Sequence, residues 1–143
     1  MMQPLHTIIV SAPPWPRWLA VLVWLGVTGA LLLLPGDGPV VANTHDFIGG
    51  TSLADWFGHV CLFGVLAALV YWALCAHLAP PAALRATLTS TILLGAAIEV
   101  AQLLIDSRGA SVLDAMGNGL GAALFAAWMW RRGRTLVRDH QNR

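Results

Sequence analysis

Four long apolar runs, set apart by short polar breaks, decide what this chain can fold into. They cover residues 18–34, 57–78, 84–105 and 112–130, each close to the ~20 residues an α-helix needs to cross ~30 Å of hydrocarbon. Inside hydrocarbon every backbone N–H and C=O must find a partner within the chain, so a run of this length resolves into a helix. The breaks are turn-formers: Pro35-Gly36 after the first run, Pro80-Pro81 after the second, and Asp106-Ser107-Arg108-Gly109-Ala110 after the third. Only 10% of the 143 residues are charged, far below the roughly 25% of soluble domains. The expected fold is all-α: an integral membrane bundle of four transmembrane helices over residues 18–130. A short segment at 1–17 precedes it and a basic tail at 131–143 follows.

The first run follows Arg17, and Val40-Val41-Ala42 offers a tolerable cleavage site, so a signal peptide competes with a membrane span there. The run is longer than a signal core of about 7–15 residues, and further spans follow it, which favours an uncleaved first helix. The chain has no Lys, and Arg131, Arg132, Arg134, Arg138 and Arg143 crowd its C-terminal end. Such a cluster after an apolar run reads as a juxtamembrane anchor. No recognition motif accompanies it that would mark a nucleic-acid-binding tail. With both termini cytoplasmic, Arg17, Arg85 and the tail arginines lie inside, while Arg108 and the acidic connector at 37–55 lie outside.

Against this apolar background, residues 99–121 are unusual. They read Glu99-x-x-Gln102, then Arg108-x-x-Ser111-x-x-Asp114-x-x-x-Asn118-x-x-Gly121. An ionised side chain near the bilayer centre costs about 2.5–3.5 kcal/mol on insertion scales, so several together point to use. Counting along the spans places Glu99 and Asn118 each about 9 Å below the outer surface, and His59 about 5 Å into the second span, one turn below Asp55. Three helices thus carry a polar group into the same outer layer. Asp55 and His59 are spaced i,i+4, as are Asp114 and Asn118, while Glu99 and Gln102 are i,i+3, so each pair shares a helix face. Arg108 can fold down from the turn onto the acids, or grip a phosphate in the same bidentate way.

A self-satisfied structural network competes with a ligand site. In it Arg108 clamps Asp114 or Glu99, Ser111 caps the last helix, Asp114 complements that helix's dipole, and Asn118 and Gln102 bind helices together. Gly117-x-x-x-Gly121 and the row Ala115, Gly119, Ala123 make two faces of the last span smooth enough for close internal packing. Trp15, Trp18, Trp56, Trp128 and Trp130 fall at expected interfaces, where amphipathic rings settle. Cys61 and Cys75, about 21 Å apart along one helix, cannot pair with one another. No residue spacing matches a metal motif, and no cofactor is implied.

These residues resemble a known family. Asp55-x-x-x-His59, with Phe63 and Leu66 after it, resembles the opening of the second helix in VanZ-like membrane proteins. Glu99-x-x-Gln102 and the run from Arg108 to Gly121 are similar to that family's central signature. The likeness covers 55–130, and the four-span size fits. Departures are Trp56 where the family has Lys, Val60 where it has Phe, Asp106-Ser107 where a Pro often precedes the Arg, and Phe125 where it has a second Gly. The resemblance implies a multi-pass protein of the bacterial inner membrane. Founding members are linked to resistance to teicoplanin, a glycopeptide antibiotic with a lipid tail.

Three functions follow as expectations. The first is an outward-facing polar pocket binding a lipid headgroup, a lipid-linked cell-wall precursor or a lipophilic glycopeptide, through Asp55, His59, Glu99, Gln102, Arg108, Ser111, Asp114 and Asn118. The second is a membrane-embedded enzyme acting on a lipid-linked envelope substrate, with Glu99 or His59 as general base. It lacks an evident nucleophile. The third, proton or solute passage, is disfavoured because the inner half offers no acidic partner.

Overall fold

A computed structural model describes residues 13–47, 49 and 51–141, with side chains to Arg132. It is all-helical among these residues: α1 (Pro14–Leu33), α2 (Pro39–Phe47), α3 (Ser52–Leu74), α4 (Pro80–Gln102) and α5 (Val112–Gln141). Four of them, α1, α3, α4 and the Val112–Arg132 part of α5, are long and apolar enough to cross a membrane. The protein is therefore a multi-pass membrane protein by the length and composition of its helices.

Local chemistry sets the ends. Prolines open α1 and α4, where the missing N–H removes only a donor that has no helical partner. Thr51 caps α3, its hydroxyl accepting from the Ala54 N–H at 3.2 Å, and Ser111 caps α5 by accepting from the Asp114 N–H at 3.3 Å. The helices begin and end a few residues from the apolar runs. Ser52 and Pro80 start earlier than 57 and 84 because capping groups, not hydropathy, choose the first turn. The basic tail differs more: the backbone stays helical through Gln141, so α5 outruns its apolar part. The side chains of Arg134, Arg138 and Arg143, and residues 1–12, lie outside the described set.

The helices alternate in direction. The start of α1 meets the end of α3, where Arg17 Nη1 donates to the Trp72 carbonyl at 3.2 Å. The ends of α1 and α4 meet at the other pole, where Gln102 Nε2 donates to the Leu32 carbonyl at 2.9 Å. That pole also holds the starts of α3 and α5. The helix α3 is central and packs on α1, α4 and α5. Leu32, Phe63, Leu66 and Ile98 form the apolar core, with Trp24, Leu25 and Leu94 against it.

The approach of α5 to α3 rests on one glycine. A Cβ on Gly121 would collide with the Val60 carbonyl oxygen and lie 2.8 Å from the Gly64 nitrogen. Gly117 faces Trp56 and His59, each 3.2 Å from where its Cβ would stand. The Gly117/Gly121 face is thus internal packing. The second smooth face is not used: Ala115 and Ala123 are exposed and nothing lies within 4 Å of a Cβ at Gly119.

Candidate functional site

The polar pole is built from helix ends, and the physics of helix ends places most of its side chains. Asp55 and Asp114 stand in the first turns of α3 and α5, where the positive end of the helix dipole stabilises a carboxylate. Arg108, in the turn between α4 and α5, lies against the end of α1. Its Nε donates to the Leu34 carbonyl at 3.1 Å and its Nη2 to the Leu31 carbonyl at 2.6 Å. These are carbonyls that the last turn of α1 leaves without helical donors. The expected Arg108 clamp on Asp114 or Glu99 is therefore not made. Backbone oxygens held in one place outcompete mobile carboxylates for the fork. Burial lowers the Arg108 pKa from its ordinary value, while the Asp55 and Asp114 carboxylates push it back up through space.

Glu99 lies behind this layer, 7% exposed. Its Oε2 accepts from the Ser111 N–H at 3.0 Å and its Oε1 from Asn118 Nδ2 at 3.3 Å. Gly95, one turn before it, makes the approach possible, since a Cβ there would press on Asn118 Cβ at 3.0 Å. With its Nδ2 turned to Glu99, Asn118 presents Oδ1 to His59 Nδ1, 2.9 Å away. An amide oxygen can only accept, so His59 Nδ1 carries the proton. His59 Nε2 then looks outward, 4.0 Å from Asp114 Oδ2.

In front of Nε2 opens a cavity of about 640 Å³, walled by all five helices and the turn before α5. Of the candidate residues, Asp55, His59, Gln102, Arg108 and Asp114 line it. Glu99, Ser111 and Asn118 stand behind the wall and hold His59. Asp55 and His59 share a face as their spacing requires, but with different partners: Asp55 Oδ2 meets His45 Nε2 at 3.3 Å.

His45 and Asp46, which also line the cavity, come from a helix that hydropathy does not reveal. The connector at 37–55 is read from the sequence only as polar and acidic; in the structure Pro39 opens a helix in it, with the Gly38 carbonyl accepting from the Ala42 N–H at 2.9 Å. Pro after Gly was the available signal. Trp56, in the first turns of α3, is half-buried against Gly117, whereas Trp15, Trp128 and Trp130 are exposed.

Gln102 is the cavity-lining residue with a buried polar atom left unpartnered among the described residues. It is 3% exposed and lines the cavity. Its Nε2 is engaged by Leu32, while its Oε1 is buried with no hydrogen-bond partner among the described residues. Those residues contain no group of three or more His, Cys, Asp or Glu able to hold a metal ion. No family model, curated protein or solved structure matches the chain.

Proposed function

We propose that the protein binds the polar headgroup of a membrane amphiphile in the cavity at this pole, which faces outward from a bacterial inner membrane with both termini cytoplasmic. One observation carries the reading. A cavity of about 640 Å³ lies at the helix ends of an apolar bundle and is lined by ionisable and amide groups, where a headgroup would lie with its acyl chains along the exposed apolar helix faces. Pockets of this size, with a few converging polar groups, are the usual form of small-ligand sites. The resemblance to VanZ-like proteins supports the same kind of ligand, since a teicoplanin-class glycopeptide or a lipid-linked cell-wall precursor is also an amphiphile with a large polar head.

A second reading draws on His59. With Nδ1–H held by Asn118 and Nε2 facing the cavity, His59 is oriented as a general base toward a lipid-linked substrate. Glu99, the other candidate base, is engaged by Ser111 and Asn118 behind the wall.

The test is native mass spectrometry of the purified chain, identifying lipids that co-purify, wild type beside Asp114→Asn. A specific headgroup class lost in the variant supports the binding reading. Identical, unselective profiles overturn it in favour of a network that serves packing alone. Conversion of the retained lipid by wild type but not by His59→Gln would move the assignment to the enzyme.

A further inference from the structure

Resting on the headgroup-binding reading, we propose that the headgroup this cavity selects carries a primary ammonium, as phosphoethanolamine does, and that a purely anionic headgroup is discriminated against. The cavity wall has a surplus of acceptors over donors. Three carboxylates, Asp46, Asp55 and Asp114, line it against the single guanidinium of Arg108. That guanidinium turns Nε and Nη2 toward the Leu34 and Leu31 carbonyls, so its fork is not presented whole to a phosphate.

The neighbouring histidines do not remove the surplus. His45 Nε2 meets Asp55 at 3.3 Å, but His59 Nε2 stands 4.0 Å from Asp114, beyond hydrogen-bond length. An anionic group entering here meets like charges on Asp55 and Asp114, whereas an ammonium meets opposite ones.

Gln102 supplies the independent observation. A buried amide oxygen without a donor is costly, and the cost is relieved only by an N–H or O–H brought to it. The Gln102 Oε1 is such an oxygen among the described residues, on a side chain that lines the same cavity. A primary ammonium has three N–H donors and one positive charge, which suits an amide oxygen beside carboxylates. A quaternary ammonium has the charge but no N–H. Of the Arg108 fork only Nη1 lies outside the two carbonyl bonds, so it can meet the phosphate of the zwitterion at one point and does not by itself favour an anionic head. The expected order of preference is phosphatidylethanolamine over phosphatidylcholine over phosphatidylglycerol.

The full chain is reconstituted into nanodiscs holding the three lipids in equal amounts, and the lipids retained on detergent release are weighed by native mass spectrometry. Phosphatidylethanolamine is expected to be enriched about tenfold over phosphatidylglycerol, the ratio that one charge-assisted hydrogen bond supplies. In Asp55→Asn and Asp114→Asn that ratio should fall toward one, with circular-dichroism melts confirming that both variants stay folded. Enrichment of phosphatidylglycerol, or of phosphatidylcholine as strongly as phosphatidylethanolamine, overturns the ammonium assignment while the headgroup site stands. Undiminished enrichment in both folded variants also overturns it. No enrichment of any lipid removes the headgroup site as well.

Discussion

Asn118 holds His59 from behind: its Oδ1 lies 2.9 Å from His59 Nδ1 while its Nδ2 donates to Glu99. The amide cannot turn over without placing N–H against N–H and oxygen against carboxylate. Glu99 on α4 thereby decides, through a residue on α5, which nitrogen of a histidine on α3 faces the cavity. Asn118→Leu should therefore destabilise the bundle by about 1–3 kcal/mol, the cost of leaving buried polar partners unmade. A detergent melt followed by circular dichroism measures it. Asn118→Asp should be no better, because a second carboxylate is set against Glu99.

Gly121→Ala should be among the most damaging small changes in the chain, because the added methyl meets the Val60 carbonyl and the Gly64 nitrogen, both backbone. Gly119→Ala, two residues away on a face with nothing within 4 Å, should be tolerated. Monodisperse yield on size-exclusion chromatography distinguishes them, and equal behaviour would show that α3 and α5 do not pack on this face.

Arg108→Ala should lower stability by about 1–3 kcal/mol through the loss of two charge-assisted bonds to the end of α1. Arg108→Lys should recover less than half of it, since one ammonium cannot reproduce the fork that bridges Leu31 and Leu34. The paired melts decide this. A full rescue by Lys would mean that charge at this pole matters and capping geometry does not.

His45→Ala should loosen α2 and leave the bundle alone. The helix has no buried residue, and the His45–Asp55 pair that ties it to α3 is formed by half-exposed side chains, a class worth about 0–1 kcal/mol. Hydrogen exchange should quicken at the amides of α2 while those of α3 keep their protection.

The proposed orientation is tested with cysteines in a chain whose Cys61 and Cys75 are replaced by Ala. Asp37→Cys should react with an impermeant maleimide in right-side-out vesicles, and Leu78→Cys only in inverted ones. The reverse pattern would turn the cavity toward the cytoplasm.

Much of the site was legible in the chain. Glu99, Asn118 and His59 were expected at similar depth on three helices, and they are joined by hydrogen bonds. Ser111 caps α5 and Gln102 ties α4 to α1, as amide and hydroxyl chemistry at those positions implied. Partner choice was less legible. Arg108 went to carbonyls rather than carboxylates, and Arg17, assigned from the sequence only to the cytoplasmic side, is fully buried over the Trp72 ring, 5.4 Å from its centroid. Both arginines serve helix ends, and a helix end offers backbone groups that a pattern of side chains does not display.

By itself, the sequence determined the four spans and the layer at which the polar residues gather. Hydrophobic length and helical rise are properties of a segment measured against a bilayer, and they need no knowledge of neighbours. Only the tertiary structure decided which smooth face of α5 is buried, that α2 forms part of the cavity wall, and that Gln102 Oε1 has no donor among the described residues. Those outcomes depend on how closely separate helices approach. That distance is governed at single contacts, such as Gly121 on the Val60 carbonyl and Gly95 beneath Asn118.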